Sequence, residues 1–257
     1  MIDTHCHIAG DEFVADLADV VARARTAGVD RAICILAADE LVELGRAATV
    51  RAAWPAARFA TGIHPHAAGK YAGRPDASAV ASREALASIG DAVALGEIGL
   101  DYHYDFAPKD VQRDVFAAQV ALAVEKDLPV VIHTREAMDD TVDVLREAGA
   151  GRVRGVIHCF TGSSDDARRA LDLGFFISFS GILTFPGATA LRDAAALVPL
   201  DRLLVETDAP FLAPVPYRGK RNEPAWVVQT LAVLAAAKGV PVASAADAVV
   251  ANAERMF

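Results

Sequence analysis

The sequence predicts an α/β chain folded as a (β/α)8 TIM barrel with a C-terminal helical extension. Three observations carry this. Eight apolar, often β-branched runs fall at about 2–6, 31–37, 58–63, 92–98, 129–134, 153–159, 174–180 and 202–208. They are apolar throughout rather than alternating, as strands buried on both faces of a parallel sheet are. Helical periodicity fills the gaps, and eight strand–helix units in 257 residues suit a closed barrel better than an open doubly wound sheet.

Taken in order, the first run leads into Thr4-His5-Cys6-His7. Leu17, Val20, Val21 and Ala24 then form an i, i+3, i+4, i+7 stripe that Gly28 stops. The second run holds Cys34, and the third closes on Gly62-Ile-His64-Pro-His66. The fourth carries Glu97 between Gly96 and Gly99, which allow close backbone approach or a sharp turn. Val111, Val115, Ala118 and Leu122 make a second helical stripe before Pro129 opens the fifth run, which ends on His133. The sixth ends on His158 and the eighth on Asp208. Ala and Leu dominate the intervening segments, in agreement with helix propensity. From about 222 onward the tail reads as helical, with Ser244-Ala-Ala-Asp247 spaced as a capping box before Val249 and Val250. No Gly/Ser linker, charge block or low-complexity tract divides residues 1–257, so one domain is expected.

Hydrophobic residues make up 53% of the chain, enough for a large core, and 23% are charged, as in soluble globular proteins. A net charge of -9 argues against a broad nucleic-acid-coating surface or adhesion to anionic lipid, but leaves room for a small basic site. Bound cations would reverse the sign locally. Cys6, Cys34 and Cys159 are odd in number and far apart, so they read as packing residues rather than a disulfide framework. No apolar run approaches membrane-spanning length and no signal-like segment opens the chain; a cytoplasmic monomer is expected.

The strand ends carry the chemistry. His5 and His7 stand at i and i+2 of a strand and so share a face. Glu97, His133, His158 and Asp208 end later runs, on the side where such barrels hold active sites. Imidazole and carboxylate suit Zn²⁺ or Mn²⁺ and, with water, Mg²⁺. Six donors are too many for one open ion, so two are expected. One would lie on His5, His7, Glu97 and Asp208, the other on Glu97, His133 and His158, with the Glu97 carboxylate as bridge. Asp208 is then placed to take the proton of an attacking water.

Around this set, His64 is expected to face the pocket and donate to a substrate oxygen, whereas His66, past Pro65, reads as a solvated loop histidine. Asp101, Tyr102, His103 and Tyr104 read as a loop over the mouth, whose rings either stack on a base or pack as a lid. Arg135 shares the face of His133. The segment Arg218-Gly-Lys220-Arg221 is the densest basic cluster and follows the eighth strand, where barrels often bind phosphate. Gly162-Ser163-Ser164 offers amide and hydroxyl donors or caps the next helix.

Taken together, Asp3-Thr-His-Cys-His7, Gly62-Ile-His-Pro, Gly96-Glu-Ile-Gly-Leu-Asp-Tyr102, Pro129-Val-Val-Ile-His-Thr-Arg135, Ile157-His-Cys-Phe-Thr-Gly162, Gly181-Ile-Leu-Thr-Phe185, Glu206-Thr-Asp-Ala-Pro210 and Tyr217-Arg-Gly-Lys-Arg-Asn-Glu-Pro224 resemble the motifs of the TatD family of metal-dependent deoxyribonucleases. The terminal Asn252-Ala-Glu-Arg-Met-Phe257 extends the resemblance over the whole chain. It implies a two-metal barrel of the metal-dependent hydrolase superfamily, with the same six ligands. It also implies phosphodiester hydrolysis of DNA, single-stranded or frayed at its ends, often as a 3′-exonuclease supported by Mg²⁺ or Mn²⁺ and with Zn²⁺ in some sites. One departure is Ile8-Ala9, where the family commonly has Leu-Asp; no ligand is lost. Two other functions stay open: a two-metal amide, ester or lactone hydrolase, including an aminoacyl-tRNA deacylase, and a silent scaffold.

Overall fold

The computed structural model describes residues 1–257. Eight parallel strands lie side by side in chain order: β1 (Ile2–Cys6), β2 (Arg31–Ala37), β3 (Ala57–Gly62), β4 (Ala92–Asp101), β5 (Val130–Arg135), β6 (Gly155–Ile157), β7 (Phe176–Phe179) and β8 (Leu203–Val205). Around them run α1 (Leu17–Thr26), α2 (Leu41–Gly45), α3 (Ala47–Ala53), α4 (Pro75–Ile89), α5 (Lys109–Lys126), α6 (Met138–Glu147), α7 (Ser164–Asp172) and α8 (Thr189–Leu197). After β8 come α9 (Val227–Lys238) and α10 (Val242–Met256). This is the expected (β/α)8 TIM barrel with a C-terminal helical extension. No single helix is long and apolar enough to cross a membrane.

The differences from expectation sit at strand ends. β6 and β8 stop earlier than the sequence suggests, because the chain leaves strand conformation before Cys159 (φ 42°) and Asp208 (φ 57°). β4 instead runs on to Asp101. Gly99 does not turn the strand but lets it pass close to β5: a Cβ there would lie 2.0 Å from the His133 carbonyl oxygen, and its φ is +140°. The stretch Ser244–Asp247 lies inside α10, which starts at Val242 behind Pro241, so it caps nothing. The capping box is at Ser163, whose hydroxyl accepts from the Asp166 amide while Asp166 accepts from the Ser163 amide.

Two devices position the barrel mouth. The first is a pair of buried glutamines on α5, seven residues apart and thus on one face. Gln119 accepts from the Ile63 amide (2.8 Å) and donates to the Ile63 carbonyl (3.0 Å); Gln112 does the same for Asp101 (2.8 and 3.0 Å). Each replaces the backbone pairing that a strand end lacks. The stripe read from sequence is thereby rotated: Val111 and Ala118 are only half-buried, while both glutamines are buried.

The second device is the closing seam. β8 and β1 share one bridge, Cys6 with Ala209, in place of a ladder. Side chains and two backbone hydrogen bonds supply the rest. The buried Asp3 carboxylate accepts from the Thr207 amide (2.9 Å) and hydroxyl (2.6 Å), and the Thr4 hydroxyl donates to the Val205 carbonyl (2.9 Å). The Asp208 amide donates to the His5 carbonyl (2.9 Å), and the His7 amide to that of Ala209 (2.7 Å).

Candidate metal centre

Glu97 stands at the middle of the mouth. The β4–β5 register slips between Gly96 and Ile98, and such a bulge re-aims the side chain it carries. The carboxylate reaches inward and is 6% exposed. Its two oxygens meet different imidazoles. Oε2 is 3.4 Å from His5 Nε2 and 3.9 Å from His7 Nε2. Oε1 is 2.8 Å from His133 Nδ1, 2.7 Å from His158 Nε2 and 3.4 Å from His64 Nε2. Asp208 Oδ1 completes the first side, 3.6 Å from His5 Nε2 and 3.4 Å from His7 Nε2. His5 Nε2 and His7 Nε2 themselves stand 3.2 Å apart, so two ring nitrogens converge on one point.

The outer nitrogens are held by further carboxylates. His133 Nε2 lies 3.1 Å from Asp101 Oδ2, and His158 Nδ1 lies 3.1 Å from Glu206 Oε1. A carboxylate behind an imidazole fixes the ring and raises the basicity of the nitrogen that faces inward. His64 differs. Its Nδ1 accepts from the His66 amide (3.1 Å), which leaves an N–H on Nε2, aimed at Glu97. In that tautomer His64 donates.

The charge balance fits cations. Glu97, Asp101, Glu206 and Asp208 are all buried or nearly so, with no Lys or Arg bonded to any of them. Burial opposes ionisation of Glu97, but the charge of His158 and the hydrogen bonds from His133 and His158 outweigh it and hold the carboxyl well below its ordinary range. The reverse holds for His158: burial lowers it, and Glu97 and Glu206 lift it well above the usual imidazole value. His133 is lifted as well, against burial, by its bonds to Asp101 and Glu97. The cluster therefore favours positive charge at its centre, which divalent cations would supply. Burial lowers His64 to about 4, so it is neutral near pH 7, as a donor ring should be. Three donor groups are compact enough for an ion: His5, His7 and Glu97; His64, Glu97 and His133; and His5, His158 and Glu206.

A pocket of ≈ 640 Å³ opens over this centre, and Arg135 and His64 line it as expected. The basic loop does not. Arg221 makes a two-pronged pair with Asp16 (2.9 and 2.6 Å) and covers the Phe13 ring, while Arg218 stacks 3.8 Å over Phe185 and donates to the Ala213 carbonyl. Lys220 stands 5.8 Å from the Tyr217 ring centroid and is exposed. The acid that captures Arg221, Asp16, lies 205 residues away in sequence, so the loop reads as free when it is not. His66 also departs from expectation: its Nε2 is 2.8 Å from Asp101 Oδ2 and it lines the pocket. Asp101 is not a loop residue but the buried last residue of β4. Tyr102 packs, donating to Asp140 (2.5 Å), whereas Tyr104 faces the pocket. Cys6 and Cys34 are buried packing residues, and Cys159 is half-buried beside Ser180.

Residues 2–257 match the family model described as TatD related DNase. The chain is 41% identical to the uncharacterized metal-dependent hydrolase YcfH of Escherichia coli, over 100% of this chain and 95% of that protein. It is 35% identical to the 3'-5' ssDNA/RNA exonuclease TatD of a Rahnella species, over 100% and 98%. Among solved structures, the Escherichia coli TatD homolog YJJV superimposes with a TM-score of 0.90 at 32% identity, covering 100% of this chain and 97% of that one. The barrel, the histidine–carboxylate centre and these likenesses together make the chain a metal-dependent hydrolase of the TatD family.

Proposed function

We propose that the protein hydrolyses phosphodiester bonds at the ends of single-stranded DNA, from the 3′ end, with two divalent cations. The observation that carries this reading is the division of Glu97, one oxygen toward His5 and His7 and the other toward His133 and His158. His5, His7, Glu97 and Asp208 would hold one ion, and Glu97, His133 and His158 the other. Such ions, Mg²⁺ or Mn²⁺ by preference and Zn²⁺ as an alternative, supply Lewis-acid polarisation of a phosphoryl oxygen and make water acidic enough to attack.

The chain's own groups do the rest. Burial works against an ionised Asp208, but the His7 bond and the neighbouring imidazoles hold it as a carboxylate, so it is ready to accept a proton from water. His64 offers its Nε2–H to a non-bridging oxygen. Arg135 offers charge to a phosphate at the pocket wall. Asp101 and Glu206 keep the two inner imidazoles from turning.

Release of nucleotides from 3′-labelled single strands, with metal titrated back into metal-free protein, tests the proposal. No metal-dependent release from folded protein would refute it. A second reading, hydrolysis of an amide or ester such as an aminoacyl-tRNA linkage, is favoured by one observation: Arg135 is the only Lys or Arg lining the pocket. Cleavage of such carbonyl substrates without phosphodiester cleavage would select it.

A further inference from the structure

The chain's exposed large aromatic side chains are Tyr104 (43%), Phe106 (61%) and Phe211 (56%), and all stand around the mouth. Phe211 lies 6.2 Å, ring to ring, from His7, on the Oε2 side of Glu97. Phe106 and Tyr104 lie 4.6 and 5.5 Å from His66, on the side of His133, with 5.3 Å between their rings. The two groups thus flank Glu97. Both are stiffly mounted. The Arg135 guanidinium covers one face of Tyr104 at 5.0 Å. The segment bearing Phe211 is pinned by the buried Asn222, which donates to the Thr207 (2.8 Å) and Phe211 (2.7 Å) carbonyls.

Leaving three aromatic rings in water is unfavourable, and exposed apolar groups gathered at a pocket mark a binding surface. The charges around the mouth narrow the choice of ligand. Arg218 and Arg221 are committed elsewhere, so few cations remain to grip a phosphate backbone. The adjoining cleft, ≈ 560 Å³, is lined by Glu136, Asp139 and Asp166 and adds no Lys or Arg beyond Arg135. What the mouth offers instead is flat apolar area, which suits the faces of nucleobases and serves every base alike.

We propose that the rim is the base-binding part of the site: Phe211 receives one unpaired nucleobase, and Tyr104 with Phe106 receives its neighbour, on the two sides of the phosphodiester presented to Glu97. The inference rests on the phosphodiesterase reading above and adds the means of selection. A base inside a duplex has both faces covered by stacking, so only frayed or single-stranded ends engage the rim. Ring stacking, more than charge, then supplies affinity for the strand.

The test uses the full-length, metal-loaded protein with Phe211→Ala, Phe106→Ala and the double variant. Substrates are single-stranded oligonucleotides with either ordinary or abasic residues at the last two 3′ positions. Wild-type kcat/KM is expected to fall roughly thirtyfold or more on the doubly abasic end, as loss of two stacked bases predicts. The double variant, which keeps Tyr104, should lose most of that factor on the ordinary end, mostly in KM, and little further on the abasic end. Its preference for single strands over blunt duplexes should shrink in parallel. Wild-type rates in the variants, or equal losses on ordinary and abasic ends, would overturn the rim while leaving the phosphodiesterase intact. Failure of the wild type to cut any oligonucleotide would instead overturn the phosphodiesterase reading, and the rim with it.

Discussion

Gln119 is a buried polar side chain whose value can be worked out bond by bond. Replacing it by Leu keeps the volume and helix propensity but strips the Ile63 amide and carbonyl of their partners at 2.8 and 3.0 Å. The Ser82 hydroxyl loses its acceptor at 2.9 Å. Ile63 is 0% exposed, so water does not replace what is lost. Each orphaned buried group costs about 1–3 kcal/mol. The added apolar contact returns about 1 kcal/mol, leaving a net loss of roughly 2–8 kcal/mol over the three groups. For a chain of this size that is a fall in Tm of about 5–30 °C. Gln119→Glu separates the donor from the acceptor. It retains an acceptor for the Ile63 amide but, once ionised, offers no proton to the carbonyl and buries a charge. Its native pKa must then exceed the unfolded value. Its stability is therefore greatest at low pH and declines as pH rises from the unfolded pKa toward the native one. Thermal unfolding followed by circular dichroism at pH 5 and pH 8 reads both effects. A Leu variant within 2 °C of wild type, or a Glu variant equally stable at both pH values, would refute the clamp.

Other outcomes follow from the same geometry. Gly99→Ala drives a Cβ into the His133 carbonyl, so it should cost several kcal/mol or abolish soluble expression; denaturant titration measures it. Arg221→Ala should lower stability by about 1–2 kcal/mol through the lost Asp16 pair and the Phe13 contact while leaving KM within about twofold. A tenfold rise in KM with a shallower salt dependence would instead make Arg221 a phosphate ligand. Asp16 is held below its ordinary pKa, chiefly by the Arg221 bond, so its contribution is present above pH 4 and lost as pH falls through the depressed native value. Asp16→Asn should flatten that acid limb in Tm against pH. Glu97→Gln should reduce the divalent ions bound per chain, counted by calorimetry, from two to at most one, and lower kcat by about 10³ or more.

Much of the barrel and its centre was legible because both depend on short-range rules. Eight apolar runs locate the strands, and even spacing puts His5 and His7 on one face. The residues behind the centre were harder to see. Asp101 lies four positions after Glu97 on the same strand, but Gly99 between them reads as a turn until β5 is in place to show a close crossing. Glu206 sits two before Asp208, yet the left-handed conformation at Asp208 breaks strand parity there. Gln112 and Gln119 fall on the core face of α5, where an apolar pattern directs attention to their neighbours. Arg218 and Arg221 present the opposite case. Sequence displays their charge but not the ring and the distant Asp16 that already occupy them.

The seam between the first and last strands sets an order of events. His5 and His7 are synthesised long before their partner Asp208, which belongs to a segment joined to Asp3 across 204 residues. Until Asp208 arrives, Glu97 is the one carboxylate that the proposed first site has opposite the two histidines. On the proposed ligand set, the side of the centre toward His5 is complete only when the ring shuts, so metal uptake would report closure of the barrel. Cutting the chain before Thr207, or moving its ends into this seam by circular permutation, should separate a collapsed barrel from one that can be charged with metal.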